Sequence, residues 1–287
     1  METLYSVNKN RIAEDIEHLC QYNATPNEGE GCTRFSYSIE DRSARNYLES
    51  IAKDLNITWK VDGVGNIRAC YNPNHLQVPS VMIGSHIDTV PHGGKYDGLA
   101  GTISALEVLR VVIEHEIEIK RPLELIIFAE EEGSNFGMTT FGSKVLTGQL
   151  SKKDIEPMTT IGGKSAVNLI KEFGLDVNRI GEDVIKKGEV DSFIELHIEQ
   201  GKRLENNENN IGIVTSITGM RTYSVAITGE SNHAGTTPMD DRKDPLVAAS
   251  KIIISMEEFA KNQVSDTSVA TVGKLNCYPS GSRSGSS

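Results

Sequence analysis

A strand, a helix and a second strand follow one another between residues 81 and 129, and this succession constrains the fold more than any other feature. The short apolar run at residues 81–84 is followed by a long helical stretch at 99–113 and by a β-rich run at 123–129. Two parallel strands joined by a helix form a βαβ unit, whose crossover is almost always right-handed. The sequence therefore predicts an α/β protein with helices flanking a sheet.

The spacing of apolar residues indicates further helices and strands. Apolar positions three and four apart predict helices at residues 8–22, 38–55, 139–148 and 165–173. Apolar and β-branched runs predict strands at residues 57–61, 66–71 and 193–198. Between two of these strands, Asp62-Gly63-Val64-Gly65 contains glycines that suit a hairpin turn. We therefore expect a mixed, largely parallel sheet.

A change of pattern at residues 211–219 indicates a boundary between two domains. Beyond it we predict a second α+β unit, with strands at 211–217, 222–228 and 268–275 and a helix at 244–261. The Gly- and Ser-rich end predicts a disordered tail. The predicted divisions of the chain are residues 1–212, 213–279 and 280–287.

The composition excludes several classes of protein. With 287 residues, of which 38% are hydrophobic, the chain can form a substantial core. Its formal net charge of −11 argues against nucleic acid or an anionic membrane as a partner. The start lacks a signal-like apolar segment, and no run approaches the roughly 20 apolar residues of a spanning helix, so we expect a soluble cytoplasmic protein. The four cysteines lie far apart, and we expect reduced thiols without a role.

Polar residues that can hold a metal ion follow the predicted strands. His86, Asp88, Glu131 and Glu132 come directly after strands, and His197 lies near the end of another strand. In open α/β sheets, sites lie beyond the carboxyl ends of the strands, so these side chains should converge. Imidazoles and carboxylates are the groups that hydrolytic metal ions bind. The sequence therefore predicts a metallohydrolase.

Two aspartates near this edge have distinct expected roles. Asp88 can hold the second ring nitrogen of His86, as the partners of metal-bound histidines do. Asp97 has two oxygens and can bridge two cations. Gly98 and Gly101 follow it and permit close approach of the backbone ahead of the helix.

Several of these residues also have an ordinary structural explanation. A lone His86 is more often a hydrogen-bonded structural residue, His197 a buried strand histidine, and Asp88 a helix cap or turn residue. The acids at residues 130–132 would usually form a solvated charge run, whereas beside a cation one could bind it and a neighbour act as general base. Spacing alone does not say which acid does which. His233 lies in a polar turn, where its ring could donate to a developing oxyanion.

Four motifs in the same order resemble the amidase, hydantoinase and carbamoylase group of dinuclear metallohydrolases, in the aminoacylase/carboxypeptidase-type superfamily. They are GSHIDTVPHGGKYDGLAG, FAEEEGSNFG, ELHIEQG and GESNHAGTTPM. The group includes N-carbamoyl-L-amino-acid hydrolases, allantoate amidohydrolases and β-ureidopropionases. The resemblance implies a zinc-exopeptidase-like catalytic domain, a partial lid or dimerisation domain, and hydrolysis of a carbamoyl, ureido or related linear amide bond of a small substrate.

The resemblance also implies the metal ligands. His86 and His197 would bind one divalent ion, Asp97 would bridge two ions, and the second ion would be bound by Glu132. The ions used in this group are zinc, manganese, cobalt or nickel. The mixed imidazole and carboxylate ligands without thiolate fit zinc or manganese and do not choose between them.

For the remaining candidates the resemblance implies roles in catalysis and substrate binding. Glu131 would be the general base toward water, and Asp88 would orient the metal-binding imidazole. Gln200 would contact the carboxylate or ureido end of the substrate. His233 would reach across a homodimer from the partner's lid domain and stabilise the tetrahedral intermediate.

The chain departs from the group's pattern after the lid motif. In the group, the chain returns to the catalytic sheet and supplies a last metal-ligating histidine, whereas no histidine follows His233 here. We therefore expect a C-terminally truncated chain whose second metal lacks a ligand and whose activity is weak or absent. Two alternatives stay open: a metallopeptidase or aminoacylase of the same superfamily, which His197 followed by Glu199-Gln200-Gly201 disfavours, or an inactive fragment.

Overall fold

The computed structural model describes residues 5–27, 29–262, 265 and 268–278, and the chain divides into two units between Gly212 and Ile213. The predicted disordered tail at 280–287 lies outside the described residues, as does residue 279 at the end of the predicted second domain. Among the described helices, none is both long and apolar enough to cross a bilayer.

The first unit is organised by one sheet of five strands: β1 (Thr58–Val61), β2 (Ile67–Tyr71), β3 (Ser80–His86), β4 (Leu123–Phe128) and β5 (Val190–Ile194). Their order across the sheet is β1-β2-β4-β3-β5. β1 and β2 form the predicted hairpin, and β2 is antiparallel to β4. β3 is parallel to both β4 and β5. The prediction of a mixed sheet in an α/β fold is confirmed.

Helices accompany this sheet: α1 (Lys9–Cys20), α2 (Ile39–Asp54), α3 (Leu99–Glu114), α4 (Phe141–Leu146), α5 (Lys152–Ile155), α6 (Ala166–Glu172) and α7 (Arg203–Asn206). The side chains of Asn8 and Ser38 accept hydrogen bonds from the first free amides of α1 and α2, which is why these helices begin there. α3 connects β3 to β4 and packs against both, with Ile103 and Leu106 fully buried. The predicted βαβ unit is therefore confirmed, and it brings the end of β3 close to the start of α3.

The last strand of the sheet differs from the strand predicted at residues 193–198. β5 pairs with β3 only as far as Ile83↔Ile194, so it ends three residues before His197. Beyond this point the two segments are joined by a side-chain hydrogen bond, in which Ser85 Oγ donates to Glu195 Oε1 at 2.5 Å. Alternating apolar residues indicate a strand, but they do not indicate where its backbone pairing stops.

The second unit contains α8 (Pro245–Asn262), which confirms the helix predicted at 244–261, and a short 3₁₀ turn at Met239–Asp241. The strands predicted at 211–217, 222–228 and 268–275 are wrong for the part of the unit that the structure describes. Ile213 and Ile217 in the first of these segments are each 91% exposed. β-branched residues favour extended backbone, but a strand also needs a paired neighbour, which these segments lack here.

An ion-pair network joins α1 to α3. Glu107 on α3 is fully buried and accepts from Arg11 Nε at 2.8 Å and from Arg11 Nη2 at 2.9 Å. The amide of Asn8 donates to the same carboxylate at 2.8 Å. On the next turn of α3, buried Arg110 pairs with Asp15 of α1. These contacts fix α1 against the helix whose first turn follows Asp97.

We expect Glu107→Ala to reduce the free energy of unfolding of the first unit by about 3 kcal/mol, because Arg11 and buried Arg110 lose the fully buried carboxylate that they share. Urea unfolding followed by circular dichroism measures this loss. The matched control is Glu114→Ala, which removes a half-exposed carboxylate from the same Arg11 and should cost about 1 kcal/mol or less. Equal losses in the two variants would show that the buried network does not stabilise the fold.

Candidate metal centre

His86 is the last residue of β3 and is 1% exposed, so the sheet fixes its position. Its Nδ1 lies 3.0 Å from the backbone carbonyl of Asp88, which can only accept a hydrogen bond. The ring proton is therefore on Nδ1, and the lone pair of Nε2 is free to bind a metal ion. Burial alone would lower the pKa of His86, but the carboxylates of Asp88 and Glu131 outweigh it and raise that pKa above its usual value.

The predicted contact between Asp88 and His86 is made by the backbone carbonyl of Asp88, not by its carboxylate. The Asp88 carboxylate lies farther away, with Oδ1 3.7 Å from His86 Nδ1. That carboxylate is buried and accepts from the amides of Glu131 and Glu132 at 3.2 and 3.0 Å. Burial raises the pKa of Asp88, and the nearby imidazole partly offsets this effect. Asp88 thus connects the loop after β3 to the loop after β4.

Asp97 reaches the imidazole because the residue after it is glycine. Gly98 has a φ of 61°, and a Cβ built there would lie 2.4 Å from His86 Cε1 and Nε2. No side chain fits in that space. Asp97 Oδ1 lies 4.0 Å from His86 Nε2. The predicted close approach at this glycine is confirmed.

His197 approaches the same carboxylate from the segment after β5. Its Nδ1 lies 2.8 Å from the carbonyl of Ile198, so Nε2 is again the free nitrogen, and it lies 3.2 Å from Asp97 Oδ1. Gly101, on the first turn of α3, allows this segment to pass closely, since a Cβ there would lie 2.2 Å from the carbonyl oxygen of Leu196.

His86, Asp97 and His197 each offer one ligand atom, and these three atoms lie within 4.8 Å of one another. Two imidazole nitrogens with the correct ring tautomers and one carboxylate oxygen suit zinc, and manganese also accepts such ligands. The residues present therefore fit a divalent metal ion. The other candidate ligand, Glu132, is not a member of this group of three.

The three adjacent acids at residues 130–132 lie in different environments. Glu130 is fully buried, and its carboxylate accepts from Asn135 N at 2.6 Å and from Asn135 Nδ2 at 2.7 Å. It therefore holds the loop after β4. Burial and the charge of Asp88 raise the pKa of Glu130 to about 7.

Glu131 and Glu132 lie nearer to the imidazole. Glu131 Oε2 is 3.7 Å from His86 Nε2, and burial raises the pKa of this carboxyl while the imidazole opposes the rise. Burial also raises the pKa of Glu132 to about 7, with Asp97 and Glu131 adding to the effect and His86 opposing it. A bound cation would relieve this repulsion among carboxylates.

Gln200 donates from Nε2 to Asp97 Oδ2 at 2.7 Å. It thus occupies the oxygen of Asp97 that faces away from the contact with His197. Gln200 therefore lies beside Asp97, the carboxylate of the candidate metal centre.

His233 lies in the second unit. Its Nδ1 accepts from the amides of Gly235 and Thr236 at 3.1 and 3.2 Å, and its carbonyl accepts from Thr237 Oγ1 at 2.7 Å. The ring proton of the neutral imidazole is therefore on Nε2. His233 is exposed, so Nε2 is presented as a hydrogen-bond donor.

Ser85 and Glu195 are the residues of the centre that sequence reasoning missed. Ser85 is fully buried next to His86, and its hydroxyl donates to the carboxylate of Glu195 two residues before His197. This bond joins the two segments that carry the histidines. The serine and the glutamate lie 110 residues apart in the sequence, and no local pattern pairs them.

We expect Glu195→Ala to weaken metal binding about tenfold or more, because partners that hold a ligand segment typically contribute 10–100-fold to affinity. Titration with Co²⁺, followed by its visible absorption, measures the change. Glu199→Ala is the matched control, since it removes the same charge two residues on the other side of His197. The Glu199 carboxylate accepts from the amides of Arg203 and Leu204 at α7. Equal weakening in both variants would contradict a specific role for the contact with Ser85.

The sequence is similar to proteins of known families over most of its length. The family described as peptidase family M20/M25/M40 matches residues 82–274. N-carbamoyl-L-amino-acid amidohydrolase of Paenarthrobacter aurescens is 36% identical over 279 residues, which are 97% of this chain and 67% of the relative. Allantoate amidohydrolase of Bacillus subtilis (strain 168) is 38% identical over 274 residues, which are 94% of this chain and 65% of the relative.

The fold is similar to those of solved amidases. The crystal structure of a hydantoinase/carbamoylase family amidase from Burkholderia ambifaria aligns with a TM-score of 0.71 and 32% identity, covering 90% of this chain and 61% of that one. This chain spans about two thirds of the length of the curated relatives that it matches. The residues matched by the family include His86, Asp97 and His197.

Proposed function

The chain belongs to peptidase family M20/M25/M40, and we propose that it is a metal-dependent amidohydrolase that cleaves a carbamoyl, ureido or related linear amide C–N bond of a small amino-acid-like substrate. The observation that supports this most is the convergence of His86, Asp97 and His197 within 4.8 Å. The names of the relatives, N-carbamoyl-L-amino-acid amidohydrolase and allantoate amidohydrolase, support the choice of bond.

A divalent ion held by these three residues would act as a Lewis acid on the scissile carbonyl group. Glu131 is the proposed general base, because its carboxylate lies beside the imidazole of His86 and its raised pKa makes it a stronger base than an exposed glutamate. Asp88 keeps that imidazole in the metal-binding tautomer through its carbonyl oxygen.

Two residues are proposed to act on the substrate. Gln200 lies beside Asp97, where its amide can contact the carboxylate or ureido end of a bound molecule. His233 presents Nε2 as a donor, which suits stabilisation of the negative oxygen in a tetrahedral intermediate. We propose that this contact forms across a homodimer.

A second ion is a further part of the proposal. Asp97 would bridge the two ions, and Glu132 would bind the second one, whose charge would offset the burial and the neighbouring carboxylates that raise the pKa of Glu132. Zinc or manganese suits the ligand types, with cobalt or nickel as alternatives. A cytoplasmic location stays a prediction.

Assays of metal binding and turnover on this chain test the proposal. We expect Mn²⁺ or Zn²⁺ to bind and ammonia to be released, at a low rate, from N-carbamoyl-L-amino acids or allantoate. Hydrolysis of dipeptides without ammonia release would favour a peptidase or aminoacylase, which the family's description also covers. Metal binding without turnover of any of these substrates would contradict catalysis and support a non-catalytic metal-binding chain.

A further inference from the structure

Among the described residues, Arg34 is the largest fully buried side chain, and it is 1% exposed. It precedes α2 and lies outside the set of candidate site residues. In the described part of the chain no carboxylate forms an ion pair with it. A buried cation without a counter-charge is costly, and an apolar side chain of similar size usually fills such a space at lower cost. The contacts of the guanidinium must therefore explain why an arginine is present.

Every strong contact of this guanidinium is to a backbone carbonyl oxygen. Nε donates to Ile87 at 2.8 Å, and Nη1 donates to Leu19 at 2.8 Å and to Tyr22 at 3.1 Å. Leu19 and Tyr22 belong to the end of α1 and the residues after it. Arg34 thus fixes one carbonyl of the loop after β3 to the end of a helix that packs against α3.

The fixed carbonyl belongs to the residue between His86 and Asp88. The backbone of Arg34 holds the same loop a second time, since its amide donates to Thr89 Oγ1 at 2.9 Å and its carbonyl accepts from Thr89 N at 3.0 Å. Asp88 is therefore held on both sides. The orientation of the peptide unit between Ile87 and Asp88 sets the position of the Asp88 backbone. The carbonyl of Asp88 is the group that accepts the hydrogen bond from His86 Nδ1.

We propose that Arg34 is a positioning residue of the metal centre. Its guanidinium fixes the Ile87 carbonyl, which keeps the Asp88 carbonyl against His86 Nδ1 and the lone pair of Nε2 directed toward Asp97. Arg34 does not touch the substrate or the ion. This inference rests on the proposed metal-binding function.

The test compares Arg34→Met and Arg34→Lys with Arg110→Met. Lysine keeps the positive charge but has one nitrogen, so it cannot bond Ile87 and the end of α1 in the same way. Arg110 is a buried arginine of α3 that pairs with Asp15 and Glu107, so its loss also destabilises the fold. Two quantities are measured in each variant: the Kd for Co²⁺, from its visible absorption, and the tautomer of His86 in the metal-free protein, from ¹⁵N NMR of the ring.

Both Arg34 variants should bind Co²⁺ about 10–100-fold more weakly, the range found for residues that hold metal ligands. His86 should lose its single Nδ1–H tautomer in them, while Arg110→Met changes neither quantity despite its lower stability. Arg34→Lys is the informative variant if Arg34→Met does not fold. Unchanged Co²⁺ binding and an unchanged tautomer in Arg34→Lys would overturn the proposal, as would an equal change in Arg110→Met. If the unsubstituted chain does not bind Co²⁺, the proposed function fails, and the tautomer still decides the role of Arg34.

Discussion

Replacing Gly98 with alanine should abolish metal binding and lower the stability of the first unit while leaving its helices formed. The new Cβ would lie 2.4 Å from His86 Cε1 and Nε2, inside the space of the imidazole, and φ at this position is 61°. The ring is buried at the end of β3 and cannot move away cheaply. Residues that merely support a ligand contribute 10–100-fold to affinity, so displacing the ligand itself should weaken Co²⁺ binding by more than about 100-fold. A titration followed by visible absorption measures this.

Gly94→Ala is the matched control, because it makes the same change four residues earlier in the same loop. A Cβ at Gly94 meets no atom within 4 Å, and its φ is not positive. This variant should bind Co²⁺ like the unsubstituted chain, and circular dichroism should show native helix content in both variants. Normal Co²⁺ binding by Gly98→Ala would mean that His86 is not held against Asp97, and the candidate metal centre would then be wrong.

The sequence predicted the part of the centre that lies at the junction of the βαβ unit. A short apolar run, a long helix and a second apolar run have few ways to pack, so His86 and Asp97 were expected at one edge of the sheet. Glycines after Asp97 were expected to permit close approach, and the geometry at Gly98 and Gly101 agrees. These inferences depend on local pattern and on handedness, both of which can be read without knowing tertiary contacts.

Other parts of the centre depend on contacts between distant segments, and the sequence could not show them. The run of acids gave no indication that Asn135 would take the carboxylate of Glu130 and leave Glu131 beside His86. The bond between Ser85 and Glu195 and the contact of Arg34 with Ile87 each join residues that no periodic pattern relates. The strands predicted in the second unit failed for the same reason, because strand propensity does not supply a pairing partner.

The second large expected effect follows from the different environments of Glu130 and Glu131. Glu131→Gln should lower kcat for ammonia release by about 100-fold to 10,000-fold, the contribution of a general base, because an amide of the same shape cannot take a proton. Glu131 is not among the three residues that offer ligand atoms, so the Kd for Co²⁺ should stay within about a factor of three, or roughly 0.6 kcal/mol. Steady-state kinetics with an N-carbamoyl-L-amino acid and Mn²⁺, together with the Co²⁺ titration, measure both quantities.

Glu130→Gln is the control, since it makes the identical chemical change one residue earlier. In the unsubstituted chain the Glu130 carboxylate accepts hydrogen bonds from Asn135 N and Phe136 N, and a glutamine oxygen can keep part of these bonds. This variant should lose stability but keep kcat within about tenfold, which is roughly 1.4 kcal/mol in the barrier. A large loss of kcat in Glu130→Gln with normal turnover in Glu131→Gln would exchange the roles of the two acids. Because the two carboxylates differ in burial and in partners, the comparison separates proton transfer from support of the loop.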